Sequence, residues 1–576
     1  MHTPTGALTR SLRLSGRLVV VAVSAAVACR ASQIPPPASP TRQPPAPLTL
    51  VIAATTDVHG RLRGYDYYAN AAESFRGLTR VATIVDSLRA ANPGRVILVD
   101  AGDLLQGNPL TYVAARSPAG PTHPVIDAMN AAGYDAMAIG NHEFNYGLPV
   151  LDRALAGARF AALAANAYTP DGRPAYRRWV MLERQGVRVA IVAGTTPGSM
   201  IWDRDHLRGR LVIGDIVPAV RGAVVEARAA GADVVVVVLH SGLDEPSSYD
   251  TVSTGLPSEN VSARVAHEVP GIDLIVYGHS HREMADTVIA GALLMQPRNW
   301  ATNAAVAELR LESGAGRWRI LSKRGRLIRA AGHDEHPGVL AATEAAHRAA
   351  VAYAAETLGT TAVAWRGDSA RVSDTPLIDF VLEVQRRAAG ADLASTAAFN
   401  LRASLDTGAI TVAEVAALYP YDNTLRAIRI SGRQLREYME RSTHYFGRAP
   451  TSVAAIDTSI PGYNYDIFAG VEYTIDLRRP AGSRVRNLSV RGRPVTDTDT
   501  FTLALNNYRQ TGGGGFSMLA GAPVVYASRE DIRELLIEEV RRRRTLRHED
   551  YFRPNWRLEP ETAIGEAYRA MNAYRP

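Results

Sequence analysis

Residues 136–147 read AMAIGNHEFNYG, a short apolar run that ends in glycine and is followed by an amide, an imidazole and a carboxylate. The apolar part is typical of a strand that is buried on both faces. Asn141, His142 and Glu143 stand where that strand would end, and Asn145 follows two residues later. Because ligands bind beyond the carboxyl ends of strands in open α/β sheets, this placement indicates a functional site.

The same arrangement recurs along the first half of the chain, where further apolar runs each lead into polar side chains. These side chains are Asp57 and His59 after LTLVIAATT, Asp103 after RVILVDAG, His240 after ADVVVVVL, and His279 and His281 after IDLIVYG. Stretches with helical periodicity, such as residues 78–91 and 216–231, lie between the runs. Alternating strands and helices predict a layered α/β domain.

Together with Asn141, these residues are typical ligands of a metal centre. A lone GNH or HSG is more typical of an ordinary turn, and only the whole set indicates a site. Imidazole and carboxylate together suit borderline divalent ions such as Zn, Mn, Fe or Co. Seven ligands are too many for one ion, and they suit two ions that share a carboxylate. The sequence therefore predicts a centre with two divalent metal ions.

The order D-x-H, G-D, G-N-H-E, H-S-G and G-H-x-H resembles the binuclear metallophosphoesterase superfamily. The fuller pattern resembles the exported 5′-nucleotidase family, over roughly residues 48–560. Within that family GNHEFNYGL, YPYDNTL, YNYDIFAGVEYTIDL and NNYRQTGG are most similar to the bacterial 2′,3′-cyclic-nucleotide 2′-phosphodiesterase/3′-nucleotidase branch.

The resemblance implies an α/β fold: a metallophosphoesterase four-layer αββα sandwich, a linker helix and an α+β C-terminal nucleotide-binding domain. The predicted divisions are an export signal over 1–28, a proline-rich spacer over 29–47, a catalytic domain over 48–331, a linker helix over 332–359 and the C-terminal domain over 360–565.

The resemblance also implies how the ligands divide between the two ions. One ion would be held by Asp57, His59, Asp103 and His281, and the other by Asp103, Asn141, His240 and His279. Asp103 would then be the bridging carboxylate.

His142 is predicted to be catalytic and not a metal ligand, since the equivalent histidine of the family contacts the phosphate or the leaving group. Asn145 stands where the nucleotidase branch commonly has an aspartate that holds this histidine. An amide can orient the imidazole but cannot stabilise its cation by charge. The alternative for Asn145 is a polar turn residue, and Glu143 is interpreted as a charge at a helix N-terminus.

Three residues of the C-terminal domain are predicted to bind substrate. Tyr421 and Tyr508 are placed on loops after a helix and after a strand, and the resemblance implies that they sandwich the nucleobase. The alternative is an ordinary turn tyrosine and an ordinary strand-end tyrosine. Arg402 matches an arginine that contacts substrate in the nucleotidases, although the loop before it departs from the glycine-rich form of the cyclic-nucleotide branch.

These features predict hydrolysis of 2′,3′-cyclic nucleotides to 3′-nucleotides and then to nucleoside and phosphate. A 5′-nucleotidase or UDP-sugar hydrolase is the alternative with the same machinery, and a non-catalytic exported nucleotide-binding lipoprotein is the alternative from another class. The expected partner is a nucleotide. A nucleic-acid polymer is not expected, because the net charge of +7 is not gathered into one basic run.

The N-terminus is predicted to be an export signal. Arg10, Arg13 and Arg17 precede the apolar segment 18–28, which is too short to span a bilayer comfortably. AVAC at 26–29 resembles a lipobox, so Cys29 is either lipidated or an incidental cysteine after cleavage near residue 28. The expected location is the periplasm or cell envelope, with membrane contact only through a lipid on Cys29. Cys29 is the only cysteine, which excludes an intramolecular disulfide.

Overall fold

The computed structural model describes residues 47–116, 122–314, 317–447 and 456–561, together with 565 and 567–569. The predicted export signal and Cys29 lie outside the described residues. Within the described part of the chain, no helix is both long enough and apolar enough to cross a membrane.

The N-terminal half of the structure runs from the first strand to a long helix that ends at Ala354. Its strands are β1 (Leu48–Thr55), β2 (Tyr65–Asp66), β3 (Ala71–Ala72), β4 (Val96–Asp100), β5 (Ala136–Ala138), β6 (Ala161–Leu163), β7 (Ala167–Tyr168), β8 (Trp179–Arg184), β9 (Val187–Thr195), β10 (Val212–Ile213), β11 (Val234–His240), β12 (Leu274–Tyr277), β13 (Met284–Ile289), β14 (Ala292–Gln296), β15 (Asn303–Gly314) and β16 (Arg317–Arg329). Its helices are α1 (Leu78–Ala91), α2 (Pro109–Arg116), α3 (Pro124–Ala132), α4 (Leu148–Leu155), α5 (Ser199–Trp202), α6 (Arg204–Leu207), α7 (Ile216–Ala229), α8 (Thr251–Thr254), α9 (Ser262–Glu268) and α10 (Pro337–Ala354).

Two six-stranded sheets pack face to face in this half. Their strand orders are β16-β15-β1-β4-β5-β6 and β13-β14-β12-β11-β9-β8. In the first sheet β1, β4, β5 and β6 are parallel, and in the second β9, β11, β12 and β14 are parallel. Leu50 and Ile52 of β1 belong to the core between the sheets, whereas Val51 and Ala53 belong to the core beneath the helices. Because side chains alternate along a strand, the continuous apolar run of β1 serves two cores at once.

Helices cover the outer face of each sheet. Leu78 of α1, Val125 of α3 and Val339 of α10 are buried in the core that adjoins the first sheet. Val220 of α7 and Val265 of α9 are buried in the core that adjoins the second. The layers therefore follow the order α, β, β, α, which confirms the predicted sandwich.

The predicted linker helix is shorter than expected. α10 ends at Ala354, and Thr357–Thr361 forms a strand where the helix was predicted to continue to Gly359. This strand pairs with Gly408–Thr411 and with Thr545–Leu546, so hydrogen bonds to distant residues replace the helical ones. The three threonines of this strand favour this outcome, since β-branched side chains suit strands better than helices.

The C-terminal half is α+β, as predicted. Its strands are β17 (Thr357–Thr361), β18 (Trp365–Arg366), β19 (Leu393–Ala397), β20 (Ser404–Leu405), β21 (Gly408–Thr411), β22 (Thr424–Ser431), β23 (Asp466–Ala469), β24 (Glu472–Asp476), β25 (Val485–Val490), β26 (Arg493–Pro494), β27 (Thr500–Asn506), β28 (Val524–Asp531), β29 (Thr545–Leu546) and β30 (Trp556–Glu559). Its helices are α11 (Pro376–Ala389), α12 (Val412–Leu418), α13 (Gly432–Ser442), α14 (Asn507–Gln510) and α15 (Ile532–Arg543). The central sheet has the order β23-β19-β27-β22-β28, and Phe380 of α11, Leu435 of α13 and Leu536 of α15 are buried in the core around it.

Candidate metal centre and substrate site

The predicted metal ligands lie at the carboxyl ends of parallel strands in both sheets. Five of the seven have positive φ angles, which non-glycine residues rarely adopt. These are Asp57 (49°), His59 (48°), Asp103 (63°), His279 (73°) and His281 (56°). The chain turns sharply at each strand end, and the side chains converge on one place.

Two glycines of the sequence motifs leave the space for this convergence. A Cβ atom on Gly140, the residue before Asn141, would lie 2.3 Å from Asp103 Oδ1. A Cβ atom on Gly278, the residue before His279, would lie 1.9 Å from Thr56 Oγ1. Both distances are far below van der Waals contact, so the glycine of GNHE and that of GHSH are required by close packing around the ligands.

One group of donor atoms comes from Asp57, His59 and His281, whose ligand atoms all lie within 4.8 Å of one another. His59 Nε2 is 3.1 Å from His281 Nε2, and His281 Nε2 is 3.5 Å from Asp57 Oδ1. Asp57 and His59 are buried, whereas the side chain of His281 is 42% exposed. The group therefore opens to solvent on the His281 side.

A second group surrounds His240. Its Nε2 atom lies 3.1 Å from Asp103 Oδ2, 2.9 Å from Asn141 Oδ1 and 3.2 Å from His279 Nδ1. Asp103 Oδ2 is also 4.0 Å from His59 Nε2, so one carboxylate reaches both groups. Burial alone would raise the pKa of the Asp103 carboxyl, but the surrounding imidazoles, with His240 foremost, hold it well below its usual value.

These donor sets fit divalent metal ions. Two ligands on one ion, each about 2.0–2.2 Å from it, lie roughly 3–4 Å apart, which matches the distances in both groups. The far nitrogens of two imidazoles are also held, since His59 Nδ1 lies 2.9 Å from the Gln106 carbonyl and His240 Nδ1 lies 2.8 Å from the Ala101 carbonyl. Each of these contacts directs the lone pair of Nε2 towards the centre, as metal-binding histidines require.

Glu259 is a member of the site that sequence reasoning missed. Its Oε1 atom is 2.7 Å from His279 Nε2, and its other oxygen accepts a hydrogen bond from the Ser248 backbone N–H. Burial would raise the pKa of this carboxyl, but the contact with His279 outweighs burial and lowers it. Glu259 lies in the irregular segment GLPSEN, where no strand end or motif marks it.

The interpretation of Glu143 as a helix N-terminal charge is wrong. α4 begins only at Leu148, and Glu143 is 1% exposed. Its carboxylate accepts hydrogen bonds from the backbone N–H groups of Asp103 (2.9 Å), Leu104 (2.6 Å) and Gly140 (2.6 Å). Glu143 therefore fixes the loop that carries Asp103 to the loop that carries Asn141.

His142 lies at the edge of the centre. Its backbone N–H donates to Asp103 Oδ1 at 2.8 Å, and its Nε2 atom is 3.9 Å from Asp103 Oδ2. With His59 and Asp103 it forms a third group of possible ligand atoms within 4.8 Å. Its Nδ1 atom is 2.6 Å from Asn145 Oδ1, so Asn145 contacts the imidazole that it was predicted to orient.

Tyr508 lies in the short helix α14, directly after β27, and not on a loop as predicted. Its ring centroid is 6.3 Å from that of Trp202, and Trp202 in turn stacks on His279 at 5.6 Å. Tyr421 does follow α12 on a loop, and its ring contacts the edge of Phe399 at 5.1 Å. Trp202 thus connects Tyr508 to His279 of the second group.

Arg509 holds Tyr508 in place and was also missed. This guanidinium is 2% exposed, and it donates to Asp466 Oδ2 at 2.6 Å, to the Gly513 carbonyl at 2.6 Å and to the Tyr463 carbonyl at 2.8 Å. A buried cation with a full set of acceptors anchors the segment NNYRQTGG to β23.

Arg402 is not brought to either tyrosine by a direct contact. It lies exposed on the turn after β19, and only its backbone N–H is engaged, by Asn400 Oδ1 at 3.0 Å. Its guanidinium forms no hydrogen bond or ion pair within the described part of the chain. Nothing in the geometry assigns it a role.

Several contacts join the two halves around this site. The backbone N–H of Gly515 donates to the Ser248 carbonyl at 3.0 Å, and Tyr146 donates from its hydroxyl to Asp422 at 2.7 Å. Asn507 Nδ2 donates to the Trp202 carbonyl at 3.3 Å. Gly515, in the segment TGGGGF at 511–516, therefore brings its backbone against the other half of the chain.

Comparison with known proteins gives matches over both halves. The sequence matches the family models for calcineurin-like phosphoesterase over residues 50–283 and for the 5′-nucleotidase C-terminal domain over residues 355–521. It is 31% identical over 588 residues to a 2′,3′-cyclic-nucleotide 2′-phosphodiesterase/3′-nucleotidase of Haemophilus influenzae, with 89% of this chain and 88% of that protein covered.

Two further matches differ in length and kind. Trifunctional nucleotide phosphoesterase protein YfkN of Bacillus subtilis is 29% identical over 592 residues, and the match covers 92% of this chain but 40% of YfkN. The chain thus spans less than half the length of that relative. The solved structure of a candidate 5′-nucleotidase from Staphylococcus aureus, in complex with alpha-ketoglutarate, superposes with a TM-score of 0.77 at 25% identity, covering 88% of this chain and 99% of that one.

Proposed function

Because this chain belongs to the 5′-nucleotidase family of metal-dependent phosphoester hydrolases, we propose that it hydrolyses 2′,3′-cyclic nucleotides to 3′-nucleotides and these to nucleoside and phosphate. The observation that carries the substrate assignment is the 31% identity to the Haemophilus influenzae enzyme over 89% of this chain. The convergence of the predicted ligands supports the hydrolytic chemistry.

The proposed cofactors are two divalent metal ions, with Asp103 reaching both. Their ligands would be Asp57, His59, Asp103 and His281 for one, and Asp103, Asn141, His240 and His279 for the other. When bound, such ions would neutralise charge on phosphoryl oxygens and lower the pKa of a water molecule towards neutral pH.

His142 is the proposed catalytic side chain that does not bind metal. Its side chain is 25% exposed, so substrate can reach it, and its Nε2 atom lies 3.9 Å from Asp103 Oδ2. In its protonated form, Nε2 would donate to a phosphoryl oxygen or to the departing ester oxygen as charge develops there. Asn145 would hold the ring from the other nitrogen.

Tyr421 and Tyr508 are proposed to flank the nucleobase. A nucleotide whose phosphate lies among the metal ligands would extend past Trp202 to reach Tyr508, since these two rings are neighbours. Stacking accepts any base because every base offers an aromatic face. Arg402 remains a proposed substrate contact on the resemblance alone.

Hydrolysis of 5′-nucleotides or UDP-sugars is the second candidate function. The match of residues 355–521 to the 5′-nucleotidase C-terminal domain favours it. Export to the periplasm or cell envelope, with a lipid on Cys29, is proposed from residues 10–29 and does not affect the chemistry.

The test compares turnover of 2′,3′-cAMP, 3′-AMP, 5′-AMP and UDP-glucose by the purified, metal-loaded protein. The cyclic nucleotide and 3′-AMP should have the highest kcat/KM. Asp103→Asn, purified in the same way, controls for contaminating phosphatases, because it removes the charge that both donor groups share. A higher kcat/KM for 5′-AMP or UDP-glucose would overturn the proposal in favour of the second candidate.

A further inference from the structure

Asp203 is a buried acid that lies next to the site without belonging to the predicted ligands. It stands between α5 and α6 and is 5% exposed. An aspartate at this position would ordinarily cap the following helix, yet its side chain makes no capping hydrogen bond to α6. Instead its Oδ1 atom accepts a hydrogen bond from Asn145 Nδ2 at 2.9 Å.

The other oxygen of this carboxyl, Asp203 Oδ2, is buried and has no hydrogen-bond partner among the described residues. Burying an acid that makes a single hydrogen bond costs free energy, so packing alone does not account for Asp203 at this position. Its one contact is to the amide that holds His142.

The hydrogen-bonding groups of Asp203, Asn145 and His142 determine the direction of the two hydrogen bonds between them. Burial raises the pKa of the Asp203 carboxyl to about 7, and whether this group is ionised or carries a proton on Oδ2, its Oδ1 atom accepts the hydrogen bond from the NH₂ group of Asn145. The amide oxygen of Asn145 then faces His142 Nδ1, 2.6 Å away, and this nitrogen must carry the hydrogen. Nε2, the other nitrogen of the His142 ring, lies 3.9 Å from Asp103 Oδ2.

Without Asp203, nothing on this side would determine which end of the amide faces His142. The two ends of an asparagine amide have nearly the same shape, so a half-turn costs little sterically. A turned amide would present NH₂ to Nδ1, so that two donors face each other in the protonated imidazole that the proposed function uses, and the ring would lose the acceptor that holds it. Asn145 alone therefore cannot do what an aspartate at position 145 would do.

We propose that Asp203 is a positioning residue for His142 that acts through Asn145, so that Asn145 and Asp203 together replace a single carboxylate beside the histidine. This inference rests on the proposed role of His142 in phosphoester hydrolysis. It predicts that Asp203 matters only while residue 145 is an amide.

A double-mutant cycle tests this dependence, with the best wild-type substrate of the four named above. Asp203→Ala should lower kcat by about 10- to 100-fold, the usual cost of losing a partner that orients a functional histidine, with KM and metal content unchanged. Asn145→Asp places two equivalent carboxylate oxygens at this position, so no neighbour is needed to determine which end of the side chain faces His142. In that background, Asp203→Ala should therefore cost less than about threefold in kcat.

Two controls keep the result interpretable. Arg204→Ala, on the same segment and exposed, should leave kcat unchanged. If Asp203→Ala does not fold, Asp203→Asn retains the volume; because its amide can donate as well as accept, it no longer fixes Asn145 and should also lower kcat only when residue 145 is asparagine.

The proposal is overturned if Asp203→Ala leaves kcat at the wild-type value, or if it lowers kcat equally in the wild-type and Asn145→Asp backgrounds. Loss of metal in Asp203→Ala would equally contradict it, since the residue would then support the ligands and not His142. If the wild-type protein hydrolyses none of the four substrates, the proposed function itself fails, which is a separate outcome.

Discussion

Tyr508 packs against Trp202 with a distance of 6.3 Å between ring centroids, although the two residues come from opposite halves of the chain. Trp202 also stacks on His279, so an aromatic contact runs from the C-terminal half to the predicted metal ligands. The proposed base site and the predicted metal centre would therefore form one site that needs both halves of the chain.

Replacing both Tyr421 and Tyr508 with alanine should lower kcat/KM for nucleotides by about ten- to several-hundredfold, because stacking contributes about 1–3 kcal/mol per base. The loss should be similar for adenine and uracil substrates. The kcat/KM for methyl phosphate, which has no base, should fall only slightly. Replacement of both by phenylalanine keeps the rings and should retain most activity. Unchanged hydrolysis of 2′,3′-cAMP by the alanine variant would show that the base is held elsewhere.

His142→Ala should lower kcat by about two to four orders of magnitude, since it removes the proposed general acid or charge-stabilising group. Metal content should stay at the wild-type level, because the other donor atoms of both groups remain. Elemental analysis and turnover measured on one preparation check both points. A variant that loses an ion would mean that the third donor group, His59 with Asp103 and His142, is itself a binding site.

Glu143→Gln should weaken metal binding and destabilise the N-terminal half by about 1–3 kcal/mol, the cost of leaving buried polar groups unpaired. The Glu143 carboxylate accepts from four backbone N–H groups, two on each oxygen, whereas a glutamine has one oxygen and would turn its NH₂ group towards two of these donors. Metal titration and chemical denaturation measure the two effects. Wild-type metal affinity and stability in this variant would show that Glu143 does not hold the two ligand loops together.

Asp379, in the first turn of α11, should make the stability of the C-terminal half depend on pH. Burial, with the neighbouring Asp374 adding to it, raises the pKa of this carboxyl to about 8. The unfolded chain releases the proton near pH 4, so the folded chain binds one more proton between about pH 4 and 8. This contribution to stability is present below pH 4 and is lost as pH rises towards 8.

Asp379→Asn is neutral at every pH and removes that dependence, while its carbonyl can still accept the Arg553 backbone N–H that Asp379 accepts at 2.8 Å. Denaturation of both proteins at pH 5 and pH 8.5 should show the variant gaining stability relative to wild type at the higher pH. A constant difference between the two proteins at both pH values would contradict the raised pKa.

The convergence of the seven predicted ligands could be predicted from the sequence because each follows a buried apolar strand, and parallel strands bring their carboxyl ends together. Asp57 and His240 are found by this rule alone. The end of α10 was predicted less well, since alanine-rich sequence continues beyond Ala354 and only pairing with distant strands stops the helix.

Glu259 and Asp203 could not be predicted in the same way. Each is a single acid in an irregular segment, and its role arises from one contact with a residue distant in the chain. Glu143 was misread because an acid after a strand end is typical of a helix start, whereas here the chain makes turns before α4 begins. The local sequence pattern predicts where the strands end. The residues that contact the ligands at those strand ends are brought there by the fold, so the local pattern does not identify them.

The positive φ angles at five of the seven ligands imply a trade-off between stability and activity. Each such residue costs the fold roughly 1 kcal/mol that a glycine would not. Directed evolution for heat resistance alone should therefore enrich glycine at Asp57, His59, Asp103, His279 and His281, and the most durable variants should be inactive ones.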